Sequence, residues 1–193
     1  MRGRPKEYDS VDVLDSAMDV FWTHGYEASS TKKLCEKTGI GSGSLYHAFG
    51  SKQKLYEQVL RRYHELGFEI QKSILNDIGS VKERLKAFLL WGITADLESD
   101  THRGCMALHS VFERNNKDPV VEHINRHYVT KIEVALSQLI KEGMDNNEIS
   151  KKRSVIEVTR AFLASYYGLL ILRQSMPEKE YLNDVIEGIV SGL

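Results

Sequence analysis

Residues 28–52 of the chain read ASSTKKLCEKTGIGSGSLYHAFGSK, and this stretch constrains the fold more than any other. Ser30 or Thr31 can cap a short helix over Thr31–Thr38. Gly39-Ile40-Gly41 then forces a turn, and a second short helix follows over Ser42–Phe49 with Ser42 as its cap. Gly50 ends that helix and Ser51 opens another. Two short helices joined by a glycine turn, behind a longer helix from about Asp9 to His24, form a helix-turn-helix. In that motif the second helix enters the major groove of DNA and the first crosses the backbone.

The rest of the 193 residues is also helical in pattern. Three prolines and few alternating stretches leave little room for strands. A long fourth helix begins at Ser51, with Leu55, Val59, Tyr63, Leu66, Ile70 and Ile74 as its inward stripe. Further helices are expected over about 81–97, 105–114, 119–142 and 154–174, with a ninth from Pro177 and Glu178. The expected fold is all-α, with about nine helices. A three-helix DNA-binding head (1–51) precedes a helical ligand-binding and dimerisation body (52–193). No apolar run approaches bilayer length and no leader follows the basic N-terminus, so a cytoplasmic protein with no membrane partner is expected.

The net charge of -1 is unremarkable until it is divided along the chain. Through Arg62 there are ten basic and eight acidic side chains, and four of the acids, Asp9, Asp12, Asp15 and Asp19, recur at helical spacing on the first helix. The segment around the turn is therefore locally basic, which suits a phosphate backbone. The candidate DNA contacts are Arg4 on an N-terminal arm, Thr31, Lys32 and Lys33 opening the second helix, and Ser42, Gly43, Ser44, Tyr46 and His47 on the third. Lys52, opening the fourth, completes the set. Leu34, Leu45, Phe49 and Cys35 are expected to pack the helices together.

With these residues in place the chain resembles the TetR/AcrR family of bacterial transcriptional regulators. Phe21, Gly25, Tyr26, Thr31, Gly39, Leu45, Tyr46, Phe49, Lys52 and Leu55 all fall where the family pattern has them. The resemblance is specific over about residues 4–60; beyond them it rests on length and helix number. It implies a homodimer on a palindromic operator, and a repressor released when a small apolar or aromatic effector binds the body. No cofactor is implied and no enzyme is expected: the sequence has no nucleophile–base arrangement, phosphate loop or dinucleotide fingerprint.

In the body, Tyr63, Trp91, Cys105, His109, Phe112, Tyr128 and Tyr166 are the candidate ligand-binding residues. Cys105 follows Gly104 near a helix start, beside His102 and Arg103, a setting that favours thiolate. Gly104-Cys105-Met106 also resembles a Gly-Cys motif in one subset of the family. A sensor of electrophiles or oxidants is thus the alternative to a small-ligand regulator. His123 and His127, and Cys105 and His109, are each four apart, the spacing of metal ligands on a helix. The His pair lies off the apolar stripe, and no metal site is assigned. A non-DNA-binding helical adaptor is the remaining alternative. Ala161, Ala164, Ser165 and Gly168 allow close helix packing and, with Leu172, Val185, Ile186 and Ile189, form the expected dimer interface.

Overall fold

The computed structural model describes residues 9–94, 103–114 and 117–193. Among them every regular element is a helix: α1 (Ser10–His24), α2 (Thr31–Thr38), α3 (Ser42–Phe49), α4 (Lys52–Leu75), α5 (Val81–Thr94), α6 (Met106–Arg114), α7 (Pro119–Asp145), α8 (Val155–Ser175) and α9 (Lys179–Ser191). The helix starts follow local chemistry. Asp9, Ser30 and Ser154 each accept a backbone N–H of the first turn, and Ser154 closes a capping box with Glu157. Asp118 accepts from the N–H groups of Val120 (3.0 Å) and Val121 (3.2 Å), so Pro119 sits where its missing N–H costs nothing.

By packing, the chain divides into two compact units. The first contains the chain through Glu65 together with Cys105–Asn125. Its core joins Phe21, Leu34, Leu45, Phe49, Leu55, Tyr56, Val59 and Leu60 to Met106, Val121 and Ile124. The rings of Phe21 and Tyr56 meet edge to face at 5.0 Å, a geometry that adds to simple burial. Arg62 of α4 makes a two-pronged pair with Asp15 of α1 (2.5 and 2.7 Å), and Lys37 of α2 lies 3.2 Å from Asp19. Two of the three acids on α1, Asp15 and Asp19, thus hold neighbouring helices.

The second unit comprises Leu66–Gly104 and Arg126–Leu193. Its core is built from Leu85, Phe88, Leu89, Ile132, Leu136, Phe162, Tyr166 and Leu169, with Phe88 and Tyr166 ring centroids 4.8 Å apart. Gly92 allows α5 to approach α8: a Cβ there would lie 2.5 Å from the Tyr166 ring.

Two sequence expectations are corrected. The inward stripe of α4 is not continuous, because Leu66 and Ile70 are exposed whereas His64, Gln71 and Leu75 are buried. The helix presents a polar line inward there, and the buried groups are hydrogen-bonded, as burial demands. Furthermore, α8 is long and apolar enough to cross a bilayer by composition, with mean hydropathy 1.5 and 39% of that window buried in the chain. Glu157 and Arg160 interrupt its apolar run without lowering the average much.

Within the first unit, His64 Nε2 donates to Asn125 Oδ1 (3.0 Å), and Asn125 Nδ2 donates to Ser110 Oγ (2.9 Å). Burial pushes the His64 imidazole down from 6.5 to about 4. The unfolded chain therefore binds a proton at His64 between those values that the folded chain refuses. Stability is complete above the unfolded value and falls with pH toward the folded one, by ~3 kcal/mol in all. His64→Gln, which keeps a donor for Asn125, is expected to flatten this acid limb in denaturant titrations from pH 7 to 4. The same pH dependence in both proteins would contradict it.

Candidate nucleic-acid interface

The exposed face of α3 follows from what its other face buries. Leu45 and Phe49 are buried in the core of the first unit. Ser42, Gly43, Ser44 and His47 consequently stand in solvent along the same short helix. The N-cap of α3 is Gly41 and not Ser42, and no side chain caps it. Its first-turn N–H groups are left for water or an anionic oxygen, as helix starts favour. The expectation that Ser42 caps the helix is thereby corrected; Ser42 belongs to the first turn.

Tyr46 is half-buried, and its hydroxyl lies 2.7 Å from Thr31 Oγ1. The two hydroxyls join the start of α2 to the middle of α3. Lys32 and Lys33 are exposed on α2, and Lys32 reaches Glu36 at 3.8 Å, an i,i+4 contact in water worth little. Arg4 lies outside the described residues.

Lys52 is held more closely than expected from sequence. Its Nζ lies 4.4 Å from the centre of the Tyr26 ring and 3.4 Å from the carbonyl of Glu27. Burial lowers its pKa, and the Arg114 charge adds to this against the pull of Glu27. The same Tyr26 ring carries the guanidinium of Arg114 at 4.3 Å. Glu113 accepts the Tyr26 backbone N–H at 2.8 Å. Arg114 also reaches Glu27 (3.2 Å) and the buried Asp118 (3.3 Å), which in turn accepts from Gln53 (3.0 Å). The end of α6 thus clasps the turn between α1 and α2. Gly25 permits this with φ 74° and no Cβ, because a Cβ would overlap a Glu113 carboxylate oxygen. The sequence reading missed Tyr26, Glu113 and Arg114 as a group, since no spacing connects residues 87 apart.

The expected ligand residues fall into both units. In the first, the Tyr63 hydroxyl donates to Cys105 Sγ at 3.8 Å, and Tyr63 meets Trp22 edge to face at 5.1 Å. Cys105 and His109 are half-buried. Phe112 is 73% exposed, contrary to a place among apolar ligand contacts. Met106, Ala107 and Ser110 set the buried face of α6, and Phe112 falls on the other side. In the second unit, Tyr128 donates to Gln71 Oε1 (2.7 Å) and Gln71 donates to Tyr166 (3.4 Å). Trp91 is half-buried, 3.8 Å from where a Cβ at Gly67 would stand.

Of the expected dimer residues, Ala161 and Ala164 are exposed, and Ser165, Gly168, Leu172, Val185 and Ile189 are half-buried. Ile186 is an exception: it is buried within its own chain, on the side of α9 that also buries Leu182 and Val190. Ile171 and Tyr181 are exposed on the same two helices; Tyr181 belongs to the apolar stripe expected of the ninth helix, whereas Ile171 escaped the sequence reading. His123 and His127 are both exposed on α7, off its buried stripe, and among the described residues no group of three or more His, Cys, Asp or Glu is placed to hold a metal ion.

Replacing Arg114 with Ala removes the cation over Tyr26 and one partner of the buried Asp118. An expected loss of about 1–3 kcal/mol in denaturant-measured stability follows, and Arg114→Lys is expected to recover only part of it. Unchanged stability in Arg114→Ala would show that the clasp is decorative.

Residues 13–59 match the model of bacterial regulatory proteins of the tetR family. The uncharacterized HTH-type transcriptional regulator YezE of Bacillus subtilis (strain 168) is 26% identical over 192 residues, 99% of each chain. The HTH-type transcriptional repressor ComR of Escherichia coli (strain K12) is 34% identical over 110 residues, 56% of this chain and 52% of that one. Among solved structures, the TetR family regulator CifR, as a cysteine mutant complexed with 26-bp double-strand operator DNA, superposes with a TM-score of 0.84 at 23% identity. That match covers 97% of this chain and 98% of the other. Bacillus subtilis FadR in complex with stearoyl-CoA follows at 0.77 and 17%, covering 96% and 100%. At these identities the superpositions show the fold; residues 13–59 carry the DNA-binding head of bacterial regulatory proteins of the tetR family, and over its whole length the chain is similar to an HTH-type transcriptional regulator.

Proposed function

We propose that this regulator is a homodimeric repressor that a small apolar or aromatic effector releases from a palindromic operator, in the cytoplasm. The observation that carries the DNA-reading part is the exposed row Ser42, Gly43, Ser44 and His47 above buried Leu45 and Phe49. In this reading residues 1–51 are the reading head. His47 touches base edges or phosphate, Lys32, Lys33 and Lys52 meet the backbone, and Thr31 and Tyr46 hold α2 and α3 in register. Residues 52–193 sense the effector and dimerise. Support for repression comes from relatives described as repressors, and support for an effector from FadR, described with stearoyl-CoA.

The exposed faces of α8 and α9 supply the dimer contact in this reading. Ala161, Ala164 and Gly168 let two α8 helices approach, and nothing lies within 4 Å of a Cβ built on Gly168 in the single chain. A two-fold pair of heads fits a palindrome with half-site centres about one helical turn apart or a multiple of it. An effector that favours one arrangement of the heads shifts the population by no more than its differential affinity. Helix α4, whose residues belong to both packing units, is the element through which the shift reaches the head.

A second reading rests on Cys105. Its half-buried thiol beside the Tyr63 hydroxyl is poised between packing and access, so an electrophile reaching it would displace Tyr63 from α6.

In fluorescence anisotropy on an inverted repeat from the upstream DNA, binding is expected to weaken steeply as salt rises. Lys33→Ala is expected to weaken it across all sequences and to lower the salt slope by about 1, whereas His47→Ala relaxes specificity. Sequence-independent binding by the unmodified protein would contradict the reading. Gly168→Leu is expected to raise the monomer fraction in sedimentation, and an unchanged mass would remove this face from the interface. Alkylation by N-ethylmaleimide is expected to release operator from the parent but not from Cys105→Ser if the thiol is the sensor. Equal responses would leave the reversible effector alone.

A further inference from the structure

A cavity of about 300 Å³ lies in the second unit, between α5, the end of α8 and the start of α9. It lies apart from the residues read above as effector contacts, none of which lines it. Its walls are apolar, with Leu90, Ile93 and Leu182 among them, and its polar groups are led by Arg173, Lys179 and Gln174. No carboxylate lines it among the described residues.

Arg173 is the informative group. It is only 8% exposed, yet its hydrogen bond among the described residues is a long one, Nη1 to the Gly92 carbonyl at 3.5 Å. A buried guanidinium has five donors and ordinarily sits against a carboxylate. Here the side chain borders the cavity instead. Lys179 adds a second positive charge at the solvent edge. An apolar chamber with a buried cation at its wall and a second cation at its edge matches one ligand chemistry: an anionic head on an apolar body. The guanidinium fork fits a carboxylate in two-pronged fashion, and the chamber size is at the small end for ligand sites.

We propose that this cavity binds a small carboxylate amphiphile, a short fatty or aryl acid, at a site separate from the effector contacts above. The site is connected to the rest of the regulator. The Gln174 amide packs on Gly104, whose φ is +70° and where a Cβ would fall 2.8 Å from the amide nitrogen. Gly104 precedes Cys105 in the chain, so an occupant that moves Gln174 changes the room available to the residue next to that thiol.

The test is calorimetric titration of the full chain without DNA, so its result is independent of how the operator is bound. Octanoate, octanol and octylamine are compared, because they share an apolar body and differ in head charge. Octanoate is expected to bind and the other two to bind at least about tenfold more weakly. Arg173→Met is expected to weaken octanoate by at least about tenfold, with far-UV circular dichroism checking its fold. Lys179→Gln, at an exposed position, is expected to weaken it about threefold and decides the matter if Arg173→Met misfolds. Octanol binding as well as octanoate, or variants that bind octanoate unchanged, would overturn the proposal. So would absence of octanoate binding to the parent.

Discussion

Burial of Leu45 and Phe49 beneath α3 is the constraint on which the first unit and its proposed DNA-reading face depend. A helix of two turns has no stability of its own in water, so α3 exists because its apolar side is sealed against Phe21, Leu34 and Leu55. That seal fixes the phase of the helix. Once Leu45 and Phe49 point inward, Ser44 and His47 have nowhere to be but outside. The Tyr46–Thr31 hydroxyl contact then sets the roll of α3 against α2, a polar lock on an arrangement that apolar packing alone would leave adjustable.

The second layer of control is electrostatic and comes from distant sequence. Glu113 and Arg114 end α6 and hold the Gly25–Glu27 turn through one backbone hydrogen bond, one cation on Tyr26 and one ion pair. Lys52, one of the DNA contacts expected from sequence, rests on the same ring. The face proposed to meet DNA and the helix that begins beside Cys105 therefore share a small charged cluster, and its cations are balanced by Glu27, Glu113 and the buried Asp118. Removing any one member leaves a charge less well compensated.

The helical boundaries and the head were legible because they are local. Capping by Asp9 and Ser30, the stops at Gly25 and Gly39, and the Asp118-Pro119 start act within a few positions of where they appear in sequence. The phase of a long helix was less legible. On α4 the apolar spacing pointed to Leu66 and Ile70, but the buried line runs through His64 and Gln71, because partners from α7 and α8 satisfy their polar atoms. Phe112 misled for the opposite reason: aromatic character suggested burial, while the short α6 has room for one buried face and Ser110 occupies it through hydrogen bonds to Asn125 and Ala107. The Glu113–Arg114 clasp and the Arg173 cavity depend on contacts between distant residues, which no periodicity encodes. Ile186 shows the same limit, since an apolar residue on α9 reads alike whether it faces its own core or a partner.

The central claim is that the exposed face of α3, carried twice by a symmetric pair, reads an operator. Hydroxyl-radical footprinting on a selected binding sequence tests it most directly. Two protected patches on one side of the duplex, with centres about 34 Å apart or a multiple of that and lost together in His47→Ala with Lys33→Ala, are the predicted result. A single protected patch, or protection that survives both substitutions, would contradict it.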